Sequence, residues 1–141
     1  MKLPFIALAA VAAALLSTPA HAQPSVVTSQ FTEVASGLAE RGFVPVADVV
    51  RGTLAQGADT EFELELEGND YVVMGFCDGG CTDLDLVLTD GSGSEVAADR
   101  AADDYPVLTL ESKSGTFVLS VLMATCGNSE CHYGVQLFRK Q

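Results

Sequence analysis

A chain of 141 residues has room for one domain with a real hydrophobic core, or at most two small ones. At 48% hydrophobic and 18% charged residues, its composition is neither disordered nor collagen-like. Its 19 acidic and 7 basic side chains give a net charge of -12, which argues against nucleic acid or an anionic membrane surface as the main partner, because both repel it.

Residues 1–22 read as a secretory signal peptide. Lys2 supplies the positive start, residues 5–16 form an unbroken apolar run, and Ser17 and Pro19 break it. Ala20-His21-Ala22 then has the small-x-small form that signal peptidase accepts. The run falls short of the roughly 20 apolar residues that a membrane span needs. No cysteine lies near the cut, so a lipid anchor is not expected. Cleavage before Gln23 sends a soluble product to the periplasm or beyond, and leaves His132 as its sole histidine.

Residues 23–44 form an N-terminal segment in which the spacing predicts a helix over 25–41. Val27, Phe31, Val34 and Leu38 make one apolar stripe, Ser25, Thr28 and Ser29 are candidate N-caps, and Gly42 is a stop signal. From Pro45 onward, over residues 45–141, the period changes to two. Strands are predicted at 46–54, 61–67, 71–77, 84–89, 107–111, 116–125 and 132–138, with a short one at 95–98. Turn-forming clusters separate them at 56–59, 68–69, 90–93 and 112–115. Seven or eight short strands without intervening helices point to an all-β, antiparallel β-sandwich. The stretch 117–123 is apolar on both faces, which predicts a central strand covered on both sides, with the helix as one cover.

Four cysteines in an exported chain predict disulfides. Of the three pairings, the local ones, Cys77–Cys81 and Cys126–Cys131, are favoured, because Asp78-Gly79-Gly80 and Gly127-Asn128-Ser129-Glu130 are turn-forming. Loops this short contribute about 2 kcal/mol each and pin turns rather than hold the fold together. The competing chemistry is zinc, but C-x3-C…C-x4-C-H is not a usual zinc spacing.

Glu61, Glu63, Glu65 and Glu67 alternate with Phe62, Leu64 and Leu66, which puts all four carboxylates on one outer face. Such a stripe is either a docking surface for a basic partner or a solvated face that blocks edge-to-edge aggregation. A second acidic group comprises Asp78, Asp83, Asp85, Asp90, Asp99, Asp103 and Asp104, near successive turns. Clustered carboxylates on loops suit calcium, and Asp78, Asp83, Asp85, Asp90, Asp103 and Asp104 are the candidate ligands of a structural site. The spacing is not that of a helix–loop–helix calcium site, and turns favour aspartate for backbone reasons alone.

Catalytic constellations are scarce. His132 has no nucleophile elbow to serve, paired cysteines cannot act as nucleophiles, and there is no Gly-rich phosphate loop. The expectation is a binding or structural module, not an enzyme, whose partner is an extracytoplasmic protein or glycan.

Several short motifs bear on family. They are Gly52-Thr53-Leu54 with Gly57, Phe62-Glu63-Leu64 with Gly68 and Tyr71, residues 83–88 (DLDLVL) with Asp90 and Gly91, Ser114–Phe117, and Tyr133-Gly134-Val135. From about residue 49 to 138 the chain thus resembles the bacterial pre-peptidase C-terminal domain family. That resemblance implies a jelly-roll-like sandwich with a non-catalytic role, here free-standing, and related collagen-binding modules bind calcium. A narrower resemblance is to periplasmic lysozyme inhibitors, which insert an S-G-x-Y loop into the enzyme's cleft. Ser114, Gly115, Thr116 and Phe117 match except at the last position, where phenylalanine lacks the hydroxyl. It implies an alternative role as inhibitor of a basic cell-wall hydrolase, with the acidic surface steering approach.

Overall fold

The computed structural model describes residues 26–141, so the signal-peptide reading of residues 1–22 lies outside the described residues. The described chain runs α1 (Val26–Glu40), β1 (Phe43–Pro45), β2 (Val50–Leu54), β3 (Asp59–Asp78), β4 (Cys81–Asp90), β5 (Glu95–Asp99), β6 (Val107–Cys126) and β7 (Cys131–Lys140). All pairings are antiparallel, in the order β1-β7-β3-β6-β4-β5, with β2 also on β7.

Two of the expected breaks do not end strands. β3 passes through Gly68 and β6 passes through Ser112 and Gly115, each at positive φ. The register shifts on both sides of Asn69, which pairs with Lys113. Residues that would close a turn here form bulges instead, which bend a strand without ending its ladder. Two bonds brace the bend: the Glu67 N–H donates to the Tyr71 hydroxyl (2.9 Å), and the Ser112 N–H donates to Asp70 Oδ1 (3.0 Å).

The bend gives each long strand two sets of neighbours. Residues 71–78 of β3 lie between β7 and the start of β6, whereas residues 59–67 pair only with 114–122 of β6, which pairs in turn with β4. Side chains from both parts meet in one core that includes Val73, Leu86, Leu88, Leu110, Leu119 and Val121, all at most 1% exposed.

A second apolar cluster lies on the other face of residues 71–78. Phe31 and Leu38 of α1 pack there on Val72, Met74, Phe76 and Phe138. The doubly covered strand is therefore residues 71–77, buried at every position, and not 117–123 as the apolar run suggested. In 117–123 the inward side chains are buried, while Val118, Ser120 and Leu122 on the outer face are half-buried. The expected strand 46–54 is also interrupted: β1 and β2 both pair with β7, and after a last bond from the Val46 N–H to the Leu137 carbonyl (2.9 Å) residues 47–49 leave the ladder between them.

Both disulfides pair locally, Cys77–Cys81 and Cys126–Cys131, with Cα separations of 5.8 and 5.9 Å. Their turns are laced together. Cys81 is the register partner of Cys126, the Gly127 N–H donates to the Gly80 carbonyl (2.9 Å), and Asn128 Nδ2 donates to the Gly79 carbonyl. Among the described residues no helix is long and apolar enough to cross a membrane.

Candidate functional site

The aspartates do not assemble as one ligand set. Among the described residues, no three His, Cys, Asp or Glu side chains converge on a point that could hold a metal ion. Several are occupied by turns. Asp90 Oδ1 accepts from the Ser92 N–H (2.9 Å), the Ser92 hydroxyl (2.6 Å) and the Ser94 N–H (3.0 Å). The Ser92 hydroxyl first, then the two amides, hold the Asp90 carboxyl below the usual carboxylate range. Asp99 accepts from the Ala101 and Val107 N–H groups, and Asp103 Oδ1 from the Tyr105 N–H. The Asp104 carbonyl accepts from the Cys77 N–H at 3.2 Å, and Asp78 ends β3 opposite His132, which is exposed. The carboxylate bonds of Asp90, Asp99 and Asp103 are the backbone uses that make aspartate common in turns.

Asp83 and Asp85 differ. Asp85 is only 8% exposed, and one oxygen of each carboxylate is buried without a hydrogen-bond partner. Burial first, and then the neighbouring Asp83 charge, raise the Asp85 carboxyl above the usual range, although Arg100 opposes them. Arg100 is itself held by Glu95 through two bonds of 3.0 and 2.6 Å. A raised folded-state value means that the fold disfavours the ionised form. The penalty is absent at low pH, grows as pH rises through the usual carboxylate range, and is complete above the raised value. Asp85→Asn is therefore expected to stabilise the protein at pH 7 by about 1 kcal/mol, the scale of one buried polar group. Thermal melts across pH check this: the gain shrinks as pH falls through the usual carboxylate range and is gone below about pH 3, where the wild-type carboxyl is protonated in both states.

Ser114, Gly115, Thr116 and Phe117 lie inside β6, opposite Glu67, Leu66, Glu65 and Leu64 in turn. They do not project as a loop, and Phe117 is 7% exposed within the core.

The stripe Glu61, Glu63, Glu65 and Glu67 is on the exposed face of residues 59–67. Thr116 Oγ1 donates to Glu65 (2.6 Å), Ser120 Oγ to Glu61 (3.3 Å), and Arg139 pairs with Glu67 at 3.3 Å. Among the described residues, only β6 pairs with this half of β3, so its other edge is open. The hydrogen-bond phase follows from the first rungs. The Gly57 N–H donates to the Met123 carbonyl, and the Met123 N–H donates to the Ala58 carbonyl. Alternation then directs the backbone of Thr60, Phe62 and Leu64 to β6, and that of Glu61, Glu63 and Glu65 to the open edge. Glu67 agrees, since its N–H turns from β6 to the Tyr71 hydroxyl.

Beneath this edge is a cleft of about 230 Å³. Its floor comprises Val73, Leu119, Val135 and Leu137, and its rim is Phe62 and Leu64 on one side and Val46, Ala47, Asp48 and Val50 on the other. Val46 and Val50, which line it, are 50% and 42% exposed. The sequence reading missed this cleft because it took 46–54 as one strand. Asp48, a poor strand former in that stretch, is the signal that could have revealed the gap. No protein-family model matches this chain, and no curated protein matches it.

Proposed function

We propose that this chain is an exported, disulfide-pinned, jelly-roll-like β-sandwich that binds a partner outside the cytoplasm and carries out no chemistry of its own. The strand neighbours support the sandwich: β1 and β2 with β7, residues 71–78 and the start of β6 on one side, residues 59–67 with the rest of β6, β4 and β5 on the other. The leader-like first 22 residues and the two disulfides support export. The resemblance of residues 49–138 to pre-peptidase C-terminal domains supports a non-catalytic role. The observation that carries the binding role is the open, acidic strand edge above an apolar cleft, because an unpaired edge over exposed valines is a surface that natural proteins usually cover.

The test is expression of the full chain in a Gram-negative host, followed by fractionation and mass spectrometry. The expected product is extracytoplasmic, starts at Gln23 and contains no free thiol. Retention in the cytoplasm with four reduced cysteines would overturn the export reading. Hydrolase turnover lost on His132→Ala would overturn the non-catalytic one.

The acidic face also favours one second reading, inhibition of a basic cell-wall hydrolase. It would act through Glu61–Glu67 and not through Ser114–Phe117, which is built into β6. Cell lysis by several lysozyme types that is unchanged by excess protein would remove it.

A further inference from the structure

We infer that residues 59–67 of β3 accept an extended peptide segment of a basic protein as an added strand, with basic and apolar side chains alternating along it. The inference rests on the binding role proposed above and specifies its mode. Three features of one edge define the occupant. The backbone donors and acceptors of Glu61, Glu63 and Glu65 face outward and can form a ladder with an incoming chain. Residues of that chain directly opposite these three glutamates share their outer face, at about 5 Å between Cβ atoms. Lysine or arginine at those positions pairs with carboxylates of which none has a cationic partner among the described residues; of the four, Glu67 has one there, Arg139. The residues in between point inward beside Phe62 and Leu64, above the cleft floored by Leu119 and Leu137, where apolar side chains are required.

The same geometry disfavours a second copy of this chain. A two-fold edge-to-edge pair centred on Glu63 sets Glu63 against Glu63 and Glu61 against Glu65, like charges directly opposite one another. The stripe is thus repulsive toward self and attractive toward a basic strand.

The probe is an acetylated and amidated Lys-Val-Lys-Val-Lys peptide, added to the full chain labelled for amide hydrogen exchange. The expected result is slowed exchange at Glu61, Glu63 and Glu65. Bound lysine N–H groups face the edge and valine N–H groups face away. N-methylation of the central lysine is therefore expected to weaken binding about tenfold or more, and N-methylation of a valine to leave it unchanged. Equal binding of a Lys-Lys-Lys-Val-Val peptide would overturn the inference, since general ionic attraction would then suffice. So would protection of the three amides in the free chain, whether by its own residues before α1 or by a second copy, and so would protection confined to another face. A chain that is exported and captures an envelope partner while these amides stay unprotected keeps the binding role and loses this mode.

Discussion

Phe76→Ala is expected to lower the unfolding free energy by about 3–5 kcal/mol, the range for emptying a buried aromatic site. Phe76 is 5% exposed on the outer face of β3, and its ring meets Phe31 of α1 edge to face with centroids 4.9 Å apart. The helix spans 15 residues, a length that is marginal in isolation, so its order depends on this docking. Phe31, Val34, Ala35 and Leu38 belong to the cluster with Phe43, Val72, Met74 and Phe138, and none of these four is part of the larger core on the sheet's other face. Truncation of Phe76 should therefore release α1 at a lower denaturant concentration than the sheet. Hydrogen exchange resolved along the chain checks this, with α1 amides losing protection while those of β4 and β6 keep theirs. Uniform loss of protection would show that helix and sheet unfold as one unit. Val73→Ala, on the opposite face, is the control, because it weakens the sheet core without touching the helix contact.

That division between two clusters also shows which parts of the structure the residues announce locally. The alternation of Glu61 to Glu67 with Phe62, Leu64 and Leu66 is visible in a plain reading, because period two allows only one face for the carboxylates. The cysteine pairs are legible for a similar reason, since each encloses a turn too short for another partner to intervene. The bends at Gly68 and Ser112–Gly115 are not, because the same residue types terminate a strand or bulge it. What decides is whether the partner strand bulges at the same height, as Asn69 and Lys113 do, and that is a long-range fact. The apolar run 117–123 misled for the same reason. Its outer residues are only half-buried beside β3 and β4, whereas 71–77 lie beneath α1. Openness of the edge at 59–67 follows from strand order alone, which no local pattern encodes. The candidate site was thus half visible: its charges could be read, but its cleft and its free backbone could not.

Gly52→Ala should destabilise by about 1–3 kcal/mol, the usual cost of forcing atoms into a filled core. Gly52 pairs with Tyr133 across β2 and β7, and the tyrosine ring lies over it. A Cβ at residue 52 would stand 2.7 Å from the Tyr133 hydroxyl oxygen and 2.8 Å from Cε1 and Cζ. The ring cannot easily swing aside, because Tyr133 is 6% exposed and packed in the main core. Burial also raises its hydroxyl above the usual tyrosine range, so ionisation offers no escape near neutral pH. β2 must move instead, and Val50 moves with it on the rim of the cleft. A double-mutant cycle with Tyr133→Val isolates the contact. Tyr133→Val alone empties a buried site, but in the presence of Ala at residue 52 it also relieves the clash, so the two changes should be less damaging together than their sum. Additive losses would mean that the ring and the glycine do not constrain one another. If the coupling is present, Gly52→Ala should also weaken binding of the alternating lysine–valine peptide, because displacement of β2 shifts the wall that its inward side chains meet.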